Sequence, residues 1–438
     1  MLGAVAQARP KPRHTGLGMG VALVALLLAS CAAATLASAP YSFECSYNGH
    51  LAPDGSCACA PQWRGAYCHS LNLGPARNGS GLDQLHAPPY ISTWGGSVIY
   101  DAATQLYHMY ASEIMHHCGI HRWVTNSIVV HATSPGGPDW RFQRQGEVKG
   151  LFTHEPIVAR APTGEYVVYV THYPGTPSDC PVCQCTDGSS SSGGCMNECG
   201  GGRNKTLFSY FTYSKTPNGP WSQLASLCTA QEGGDASCLK WSEPAPKTVG
   251  TDMNLAPVIR PDGSALMWTR WNVWIADNWK NASSYRDTGQ GPDFNSKPPT
   301  PWEGEDPSLW VDKDGHYHMV SHNGQRGQDF LPQNASGDCG RHYFSTTGAA
   351  GTWRVAPLPS NDLGGCAFPR VDVPFVGKDG HTISNYSFYR RERPHIVLGP
   401  DGVTPVALTT AVIDSPTSPY EKGGRDSSYT LLQPVLDK

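Results

Sequence analysis

Apolar and polar positions alternate in short runs along this chain, and the runs recur in a similar order. Four stretches place a Pro at the start of an apolar run, at 154–158, 255–259, 305–309 and 392–396. A Gly follows each Pro, eight residues later in three copies and six in the fourth, and a second apolar run begins there. Two apolar runs joined by a Gly-containing turn predict a β-hairpin. Repetition of such a hairpin along one chain predicts radial repetition of a structural unit.

A second repeated motif separates these hairpins and adds two strands to each unit. It is a turn that ends in Trp and follows an apolar or aromatic run, at 134–140, 214–221 and, in shorter form, 351–353. Hairpin, third strand, turn and edge strand together make the four strands of a propeller blade. A first, degenerate copy, aligned through Tyr107, places Ser97 at the Pro position and raises the count to five. We therefore predict an all-β fold, a five-bladed β-propeller over residues 88–437.

Composition fits a turn-rich chain and excludes one class of partner. The 438 residues include 48 Gly and 37 Pro, and no long amphipathic helix is predicted. The formal net charge is −4, charged residues make up 16% of the chain, and no basic block occurs. These values exclude nucleic acid as a partner.

The N-terminal residues predict entry into the secretory pathway. Basic residues within 1–14 precede an uncharged stretch within 15–39, which fits either a cleaved signal peptide or a transmembrane signal anchor. Ala37-Ser38-Ala39 resembles a cleavage site, but the following Pro disfavours cleavage there. Leu28–Cys31 also fits a bacterial lipoprotein box, a third and less favoured alternative. In the first two cases the rest of the chain is lumenal or extracellular, so the protein is secreted or a single-pass type II membrane protein.

Sequons and cysteines agree with that compartment. Five Asn-x-Ser/Thr sequons occur, at Asn78, Asn204, Asn281, Asn334 and Asn385. The chain has 15 cysteines, and without Cys31 their number is even. An even number behind a secretory N-terminus favours disulfides over metal ligation. We predict no metal and no cofactor, and the sequence makes no prediction of oligomeric state.

The first cysteine cluster defines a small module at 41–70. Cys45 is followed by Cys57-Ala58-Cys59, then by Trp63-Arg64-Gly65 and Cys68. This pattern resembles the C-terminal half of an EGF-like domain, although two of the usual six cysteines are missing. The resemblance implies the pairs Cys45–Cys57 and Cys59–Cys68. A module this small depends on its bridges, and it serves either as a spacer or as a protein-binding element.

Further cysteines and histidines leave their pairing open. A Gly/Ser-rich insertion at 178–203 carries five cysteines: Cys180, Cys183, Cys185, Cys195 and Cys199. Zinc and disulfides both fit this spacing, and an oxidising compartment favours disulfides. One of the five then pairs outside the insertion, with Cys118, Cys228 or Cys238 as candidates, and Cys339 is predicted to pair with Cys366. The histidines at 116–121 and at 316–322 allow a metal site, but ordinary hydrogen-bonded histidines are favoured.

Polar residues at the predicted inner-strand starts form the candidate site, because these starts converge on the propeller axis. The catalytic candidates are Glu155, Asp306 and Asp252. The substrate-binding candidates are Trp94, His154, Asn254, Arg270, Glu305, Arg393 and His395. Paired carboxylates beside aromatic rings and Arg suit glycoside hydrolysis, in which one carboxyl is protonated and the other ionised. Alternatively, these carboxylates cap turns or bond backbone amides of the next blade.

The repeats resemble the propeller glycoside hydrolases of family 43 and its relatives over residues 88–437. That family uses an Asp base in the first blade, an Asp modulator in the second and a Glu acid in the third. The corresponding positions here are Gly96, Glu155 and Ala256, so only the second keeps a carboxylate. The resemblance therefore leaves two hypotheses. The protein is a glycan-active enzyme that uses another carboxylate pair, or it is an ectodomain that binds a glycan or a protein without cleavage.

Overall fold

The computed structural model describes most of the chain after residue 40. The described residues are 41–173, 182–185, 206–229, 237–238, 240–242, 254–269, 272–288, 304–322, 340–357, 366–377, 379–381, 383–414 and 427–437. The predicted signal or anchor at 15–39 lies outside them. Among the described residues, no helix has the length and apolarity needed to cross a bilayer.

The described chain is almost entirely β-structure, which confirms the predicted all-β class. Its helices are short: α1 (Trp123–Asn126) and the 3-10 turns η1 (Phe43–Cys45), η2 (Ile120–Arg122) and η3 (Ala282–Ser284). Small strands near the start are β1 (Gly49–Leu51), β2 (Cys57–Cys59), β3 (Trp63–Arg64), β4 (Ser70–Leu71) and β5 (Ala76–Arg77). β1 pairs with β2, and β3 pairs with β4.

Five antiparallel sheets follow in chain order. Sheet one contains β6 (Ser92–Asp101), β7 (Leu106–Ile114), β8 (Ser127–Ser134) and β9 (Gln143–Lys149). Sheet two contains β10 (Thr153–Arg160), β11 (Tyr166–His172), β12 (Thr206–Ser214) and β13 (Ala225–Ser226). The short strand β16 (Lys240–Ser242) also pairs with β12. A separate two-stranded sheet is formed by β14 (Cys228–Thr229) and β15 (Ser237–Cys238). Sheet three contains β17 (Ala256–Ile259), β18 (Ala265–Trp268), β19 (Val273–Ala276) and β20 (Tyr285–Asp287).

The last two sheets have the same meander order. Sheet four contains β21 (Glu305–Val311), β22 (Tyr317–His322), β23 (Arg341–Ser345) and β24 (Arg354–Val355). Sheet five contains β27 (Arg390–Leu398), β28 (Pro405–Ile413) and β29 (Tyr429–Pro434), while β25 (Val373–Val376) and β26 (Ile383–Tyr386) form a separate sheet with β5. The first strands contact one another in the cyclic order β6, β10, β17, β21, β27 and back to β6. The N-terminal ends of these strands therefore meet around one axis.

A bulge near the start of four first strands sets the direction of the side chains there. The registers of β6, β10, β21 and β27 shift at equivalent points. The bulge residues are Gly95, Glu155, Asp306 and Arg393, with φ values of 64°, 57°, 52° and 53°. The position equivalent to Glu155 in sheet one is therefore Gly95, one residue before the Gly96 that the sequence alignment indicates.

Residues 73–82 hold the first described part of the chain against the last strand. Leu73 bridges Val435 and Leu82 bridges Thr430, both antiparallel. The Ser80 hydroxyl adds a hydrogen bond to the Leu432 carbonyl oxygen at 2.7 Å. This segment thus covers part of the edge of β29, which has no fourth strand of its own sheet beside it among the described residues.

The cysteine module packs against sheets four and five. Its disulfides join Cys45 to Cys57 and Cys59 to Cys68, the pairing implied by the EGF-like resemblance. The buried Trp63 ring stacks on Trp310, with 6.2 Å between ring centroids. These residues belong to one apolar cluster with residues of β27 and β28. The module therefore shares a hydrophobic core with the sheets.

A third disulfide joins Cys118 to Cys185 and ties the Cys-rich insertion to the loop after β7. Of the three outside partners considered from the sequence, Cys118 is the one used by Cys185. Cys183 and Cys366 are also disulfide-bonded, whereas Cys180, Cys195, Cys199 and Cys339 lie outside the described residues. The sequon residues Asn78, Asn281 and Asn385 are exposed, and Asn204 and Asn334 also lie outside the described residues.

Candidate functional site

Side chains from the starts of sheets two, three, four and five meet on the axis and form the ion-pair cup, defined as Glu155, Asn254, Asp306 and Arg393. One nitrogen of Arg393, Nη1, lies 2.7 Å from Glu155 Oε1 and 2.8 Å from Asp306 Oδ1. The side chains of Arg393 and Asp306 are each 6% exposed, and that of Glu155 is 16% exposed. Two catalytic candidates therefore share one guanidinium partner.

Asn254 links the two carboxylates from the start of sheet three. Its amide nitrogen lies 3.3 Å from Glu155 Oε2, and its amide oxygen accepts a hydrogen bond from the Asp306 backbone N–H at 3.2 Å. The backbone N–H of Arg393 in turn donates a hydrogen bond to Asp306 Oδ2 at 3.3 Å. The backbone N–H groups of the bulge residues Glu155, Asp306 and Arg393 thus all bond to neighbouring side chains.

Gly95 occupies the equivalent position in sheet one and leaves space for Arg393. A Cβ at Gly95 would lie 3.1 Å from Arg393 Nε and 3.2 Å from Arg393 Cβ. The positive φ of 64° is also one that Gly adopts without steric cost. Gly95 therefore contributes no carboxylate to the ion-pair cup, and the side chain of Arg393 packs over Gly95 instead.

Replacing Gly95 with Ala is expected to lower the free energy of unfolding by about 1–2 kcal/mol. The alanine would have to adopt a left-handed backbone conformation, and its Cβ would press against Arg393. Urea denaturation measures the change. Gly146→Ala in β9 is the matched control, because a Cβ there meets nothing within 4 Å, and its effect should stay within about 0.5 kcal/mol. Equal effects of the two substitutions would contradict the close approach of Arg393.

The hydrogen bonds of the cup indicate whether its carboxyl groups carry a proton. A guanidinium group only donates hydrogen bonds, so the oxygens of Glu155 and Asp306 that contact Arg393 act as acceptors. Glycoside hydrolysis requires one carboxyl that carries a proton and faces the substrate. The cavity beside Asp306 and Arg393 has a volume of only about 10 Å³. The cup is closed at Asp306 and Arg393, and its described carboxylate oxygens act as acceptors, whereas a hydrolytic pair needs one carboxyl that carries a proton.

A second layer of charges surrounds the cup. Arg390 donates two hydrogen bonds to Glu392, at 2.6 and 2.7 Å, and its guanidinium lies 5.2 Å from the Trp94 ring centroid. Glu305 lies 3.6 Å from His322 Nδ1. Trp94 is buried, so its ring supports Arg390 and presents little surface to a ligand.

Asp306 of the cup and two residues of this layer have the spacing of a metal site. Ligand atoms of Asp306, His322 and Glu392 lie within 4.8 Å of one another. Arg393 and Arg390, however, already bind the two carboxylates. A divalent cation would have to displace both guanidinium groups, so these three residues do not support a metal assignment.

The two candidate histidines lie behind the cup and are neutral near pH 7. His154 Nδ1 bonds with the Ser127 hydroxyl at 2.7 Å, and burial together with the nearby Arg393 charge holds its pKa well below the usual value. His395 Nε2 bonds with the Ser97 hydroxyl at 2.6 Å, and the same two causes lower its pKa to about 3. Of the remaining candidates, Asp252 and Arg270 lie outside the described residues.

Residues on the second strands also reach the cup, although the sequence analysis did not identify them. Ser112 Oγ accepts a hydrogen bond from the Glu155 N–H at 3.0 Å, and Thr171 Oγ1 lies 3.5 Å from Glu155 Oε2. Ser112 pairs with Trp94, and Thr171 pairs with His154. Hairpin register would have indicated both positions, since each lies opposite the residue that precedes a bulge.

Comparison with known proteins gives similarity at the level of structure alone. No family model and no curated protein matches the chain. The chain is similar to a family 117 glycoside hydrolase of the marine bacterium Zobellia galactanivorans, with 12% identity, a TM-score of 0.44 and coverage of 86% of this chain and 90% of that one. It is also similar to an α-L-arabinofuranosidase of Podospora anserina, with 11% identity, a TM-score of 0.45 and coverage of 83% and 96%.

A third similar structure is a β-1,3-galactosidase described as GH43. The identity is 14%, the TM-score is 0.40, and the match covers 78% of this chain and 90% of that one. These identities and TM-scores do not assign an activity to the chain. Its function must therefore be argued from its own residues.

Proposed function

We propose that this protein is a glycan-binding ectodomain of the secretory pathway that does not hydrolyse its ligand. One observation carries the proposal: Arg393 Nη1 contacts the carboxylates of both Glu155 and Asp306. A hydrolase needs two carboxyl groups in different protonation states on either side of the scissile bond. Here one cation binds both groups, and the position in sheet one is a glycine.

The proposed architecture is a five-bladed β-propeller preceded by an EGF-like module. The cyclic contacts among the five first strands support the blade count. The four-cysteine pattern and the two local disulfides support the module. Three described disulfides fit an oxidising, secretory or extracellular location.

Polar and aromatic groups at the cup support a glycan as the ligand. The partly exposed Glu155 offers carboxylate oxygens, which bond sugar hydroxyls, and the buried Asn254 holds that carboxylate in place. The partly exposed Trp123 ring lies 5.0 Å from the His154 ring, near the start of sheet two. Such a ring can stack on the apolar face of a sugar.

Backbone conformation also supports a functional role for the cup. Glu155, Asp306 and Arg393 all have positive φ, which costs on the order of 1 kcal/mol or more for each non-glycine residue. Glycine would relieve this cost at each bulge. Three charged side chains occupy these strained positions, which supports a role in recognition.

A glycan array tests the proposal with the wild-type protein, Glu155→Gln and the control Glu147→Gln. Glu147 is an exposed glutamate of β9, away from the cup. We expect the wild type and the control to bind the same glycans, and Glu155→Gln to bind them about tenfold more weakly through loss of a charged acceptor. Unchanged binding by Glu155→Gln would place the glycan site elsewhere and overturn the proposal.

Hydrolysis is measured separately on a panel of 4-nitrophenyl glycosides and on the glycans retained by the array. We expect no release of product by the wild type. Turnover that disappears in Glu155→Gln or Asp306→Asn would instead show that the carboxylates of the cup are catalytic. In that case the alternative hypothesis, a glycan-active enzyme, would replace the proposal.

A further inference from the structure

A large cavity lies at the end of the axis opposite the ion-pair cup. Its volume is about 790 Å³, within the range of small-molecule sites. Its lining residues lie at the C-terminal ends of the first strands and in the hairpin turns that follow them. Each of the five sheets supplies at least one aliphatic side chain to its wall, among them Ile99, Val158, Val258, Leu309 and Leu398.

His395 forms the boundary between the two ends of the axis. It lines both the small cavity beside the cup and the large cavity. Its ring nitrogens face the hydroxyl groups of Ser97 and Ser308, at 2.6 and 3.4 Å. The inner end of the large cavity is thus neutral, and its walls are aliphatic.

Two arginines supply the positive charge of the cavity wall. Arg260 donates through Nε to the Tyr317 hydroxyl at 2.9 Å, and no carboxylate of the described residues lies within salt-bridge distance of it. Arg160 has a side chain that is 43% exposed; its guanidinium lies 3.9 Å from the Tyr166 ring centroid and makes a long contact of 3.9 Å with Asp101. Both guanidinium groups therefore keep N–H donors for an additional anion.

The acidic residues in the wall direct their oxygens into the protein. Asp101 is buried and accepts hydrogen bonds from Tyr166 and Thr104. Asp312 Oδ2 lies 3.1 Å from His316 Nδ1 and 3.2 Å from His318 Nε2. Both carboxylates are engaged by these neighbours, whereas the two guanidinium groups keep N–H donors, so a ligand meets hydrogen-bond donors of positive charge on this part of the wall.

We propose that this cavity binds a monomeric anionic amphiphile, a hydrocarbon chain or ring system that ends in one carboxylate. The apolar part lies against the five aliphatic side chains, and the carboxylate binds Arg160 and Arg260. Burial of hydrocarbon supplies the affinity, and the two guanidinium groups select an acid over an uncharged analogue. This site is independent of glycan binding at the cup.

Titration of the purified full chain with cis-parinaric acid and with its methyl ester tests the proposal by fluorescence. We expect saturable binding of one acid molecule per chain, with displacement by decanoate. The double variant Arg160→Gln/Arg260→Gln should bind the acid roughly tenfold or more weakly, because charged hydrogen bonds are lost. Its affinity for the ester should change less than about twofold, since the apolar contacts remain.

Arg64→Gln is the matched control, because Arg64 is an exposed arginine of the cysteine module, and it should bind both probes like the wild type. Val258→Trp, which fills the cavity, should reduce the binding of both probes without a change in thermal midpoint. Absence of saturable binding, or equal binding by Val258→Trp, would overturn the proposal. Binding only to vesicles of anionic phospholipid would also overturn it, because the ligand would then be a membrane surface.

Discussion

Replacing Arg393 with Leu is expected to destabilise the folded protein by about 3–5 kcal/mol, which is the cost of leaving a buried charge without its partner. Arg393 is 6% exposed and bonds two carboxylates through a single nitrogen. Its removal leaves Glu155 and Asp306 close to each other without a cation between them. Urea denaturation of the wild type and the variant measures the difference in free energy of unfolding.

A triple variant separates loss of charge from loss of packing. Arg393→Leu combined with Glu155→Gln and Asp306→Asn removes all three charges, and it should recover most of the lost stability. Arg64→Leu, at an exposed position, should have little effect. A loss below about 1 kcal/mol for Arg393→Leu would mean that the ion-pair cup contributes little to the fold.

Lowering the pH from 7.5 to 5 is expected to reduce the free energy of unfolding by several kcal/mol. Burial lowers the pKa of His131 to about 4, and burial with the Arg393 charge lowers that of His395 to about 3. Burial also holds the pKa of His342 well below its usual value. Each histidine stays neutral in the folded state but takes up a proton near pH 6.5 in the unfolded chain, so acid favours unfolding.

The pH range identifies the groups responsible. The contribution of each histidine is fully present above pH 6.5 and is lost as the pH falls toward its folded pKa. Burial raises the pKa of Asp312, but its hydrogen bonds and attraction to His318 outweigh this and lower it to about 2. The contribution of Asp312 is therefore lost only below about pH 4, where its carboxylate becomes protonated in the unfolded chain.

Substitution of one histidine tests this assignment. His395→Gln should flatten the dependence of unfolding free energy on pH by at most about 1.4 kcal/mol per pH unit between pH 6.5 and 5, which corresponds to one proton. His381→Gln, at an exposed position, should leave the slope of the wild type unchanged. An identical slope in the wild type and His395→Gln would show that His395 does not titrate as described.

The sequence predicts the hairpins well because their signals are local. A Pro at the strand start and a Gly such as Gly164, with φ of 92°, fix each turn within a few residues. The alignment of sheet one is displaced by one residue because that strand has Gly95 and Gly96 but no Pro to mark the bulge. Without side chains at these positions, sequence pattern alone does not distinguish the two registers.

The contacts at the site depend on tertiary structure and are therefore less predictable. Sequence pattern predicts that Glu155, Asp306 and Arg393 occupy equivalent strand starts, but not that Arg393 lies over Gly95 and binds both acids. The Cys118–Cys185 disulfide likewise joins residues 67 positions apart. Such pairings follow from the arrangement of separate sheets, for which the local sequence carries no signal.

The ribosome synthesises residues 73–82 long before it synthesises β29, the strand to which they bind. Ser80 and Leu432 are separated by 352 positions, so the early segment cannot form its native pairing until almost the whole chain has been synthesised. A nonsense mutation that removes β29 would leave this segment without its partner, even though more than nine-tenths of the polypeptide had been made. Late-truncated chains should consequently be retained by quality control and degraded.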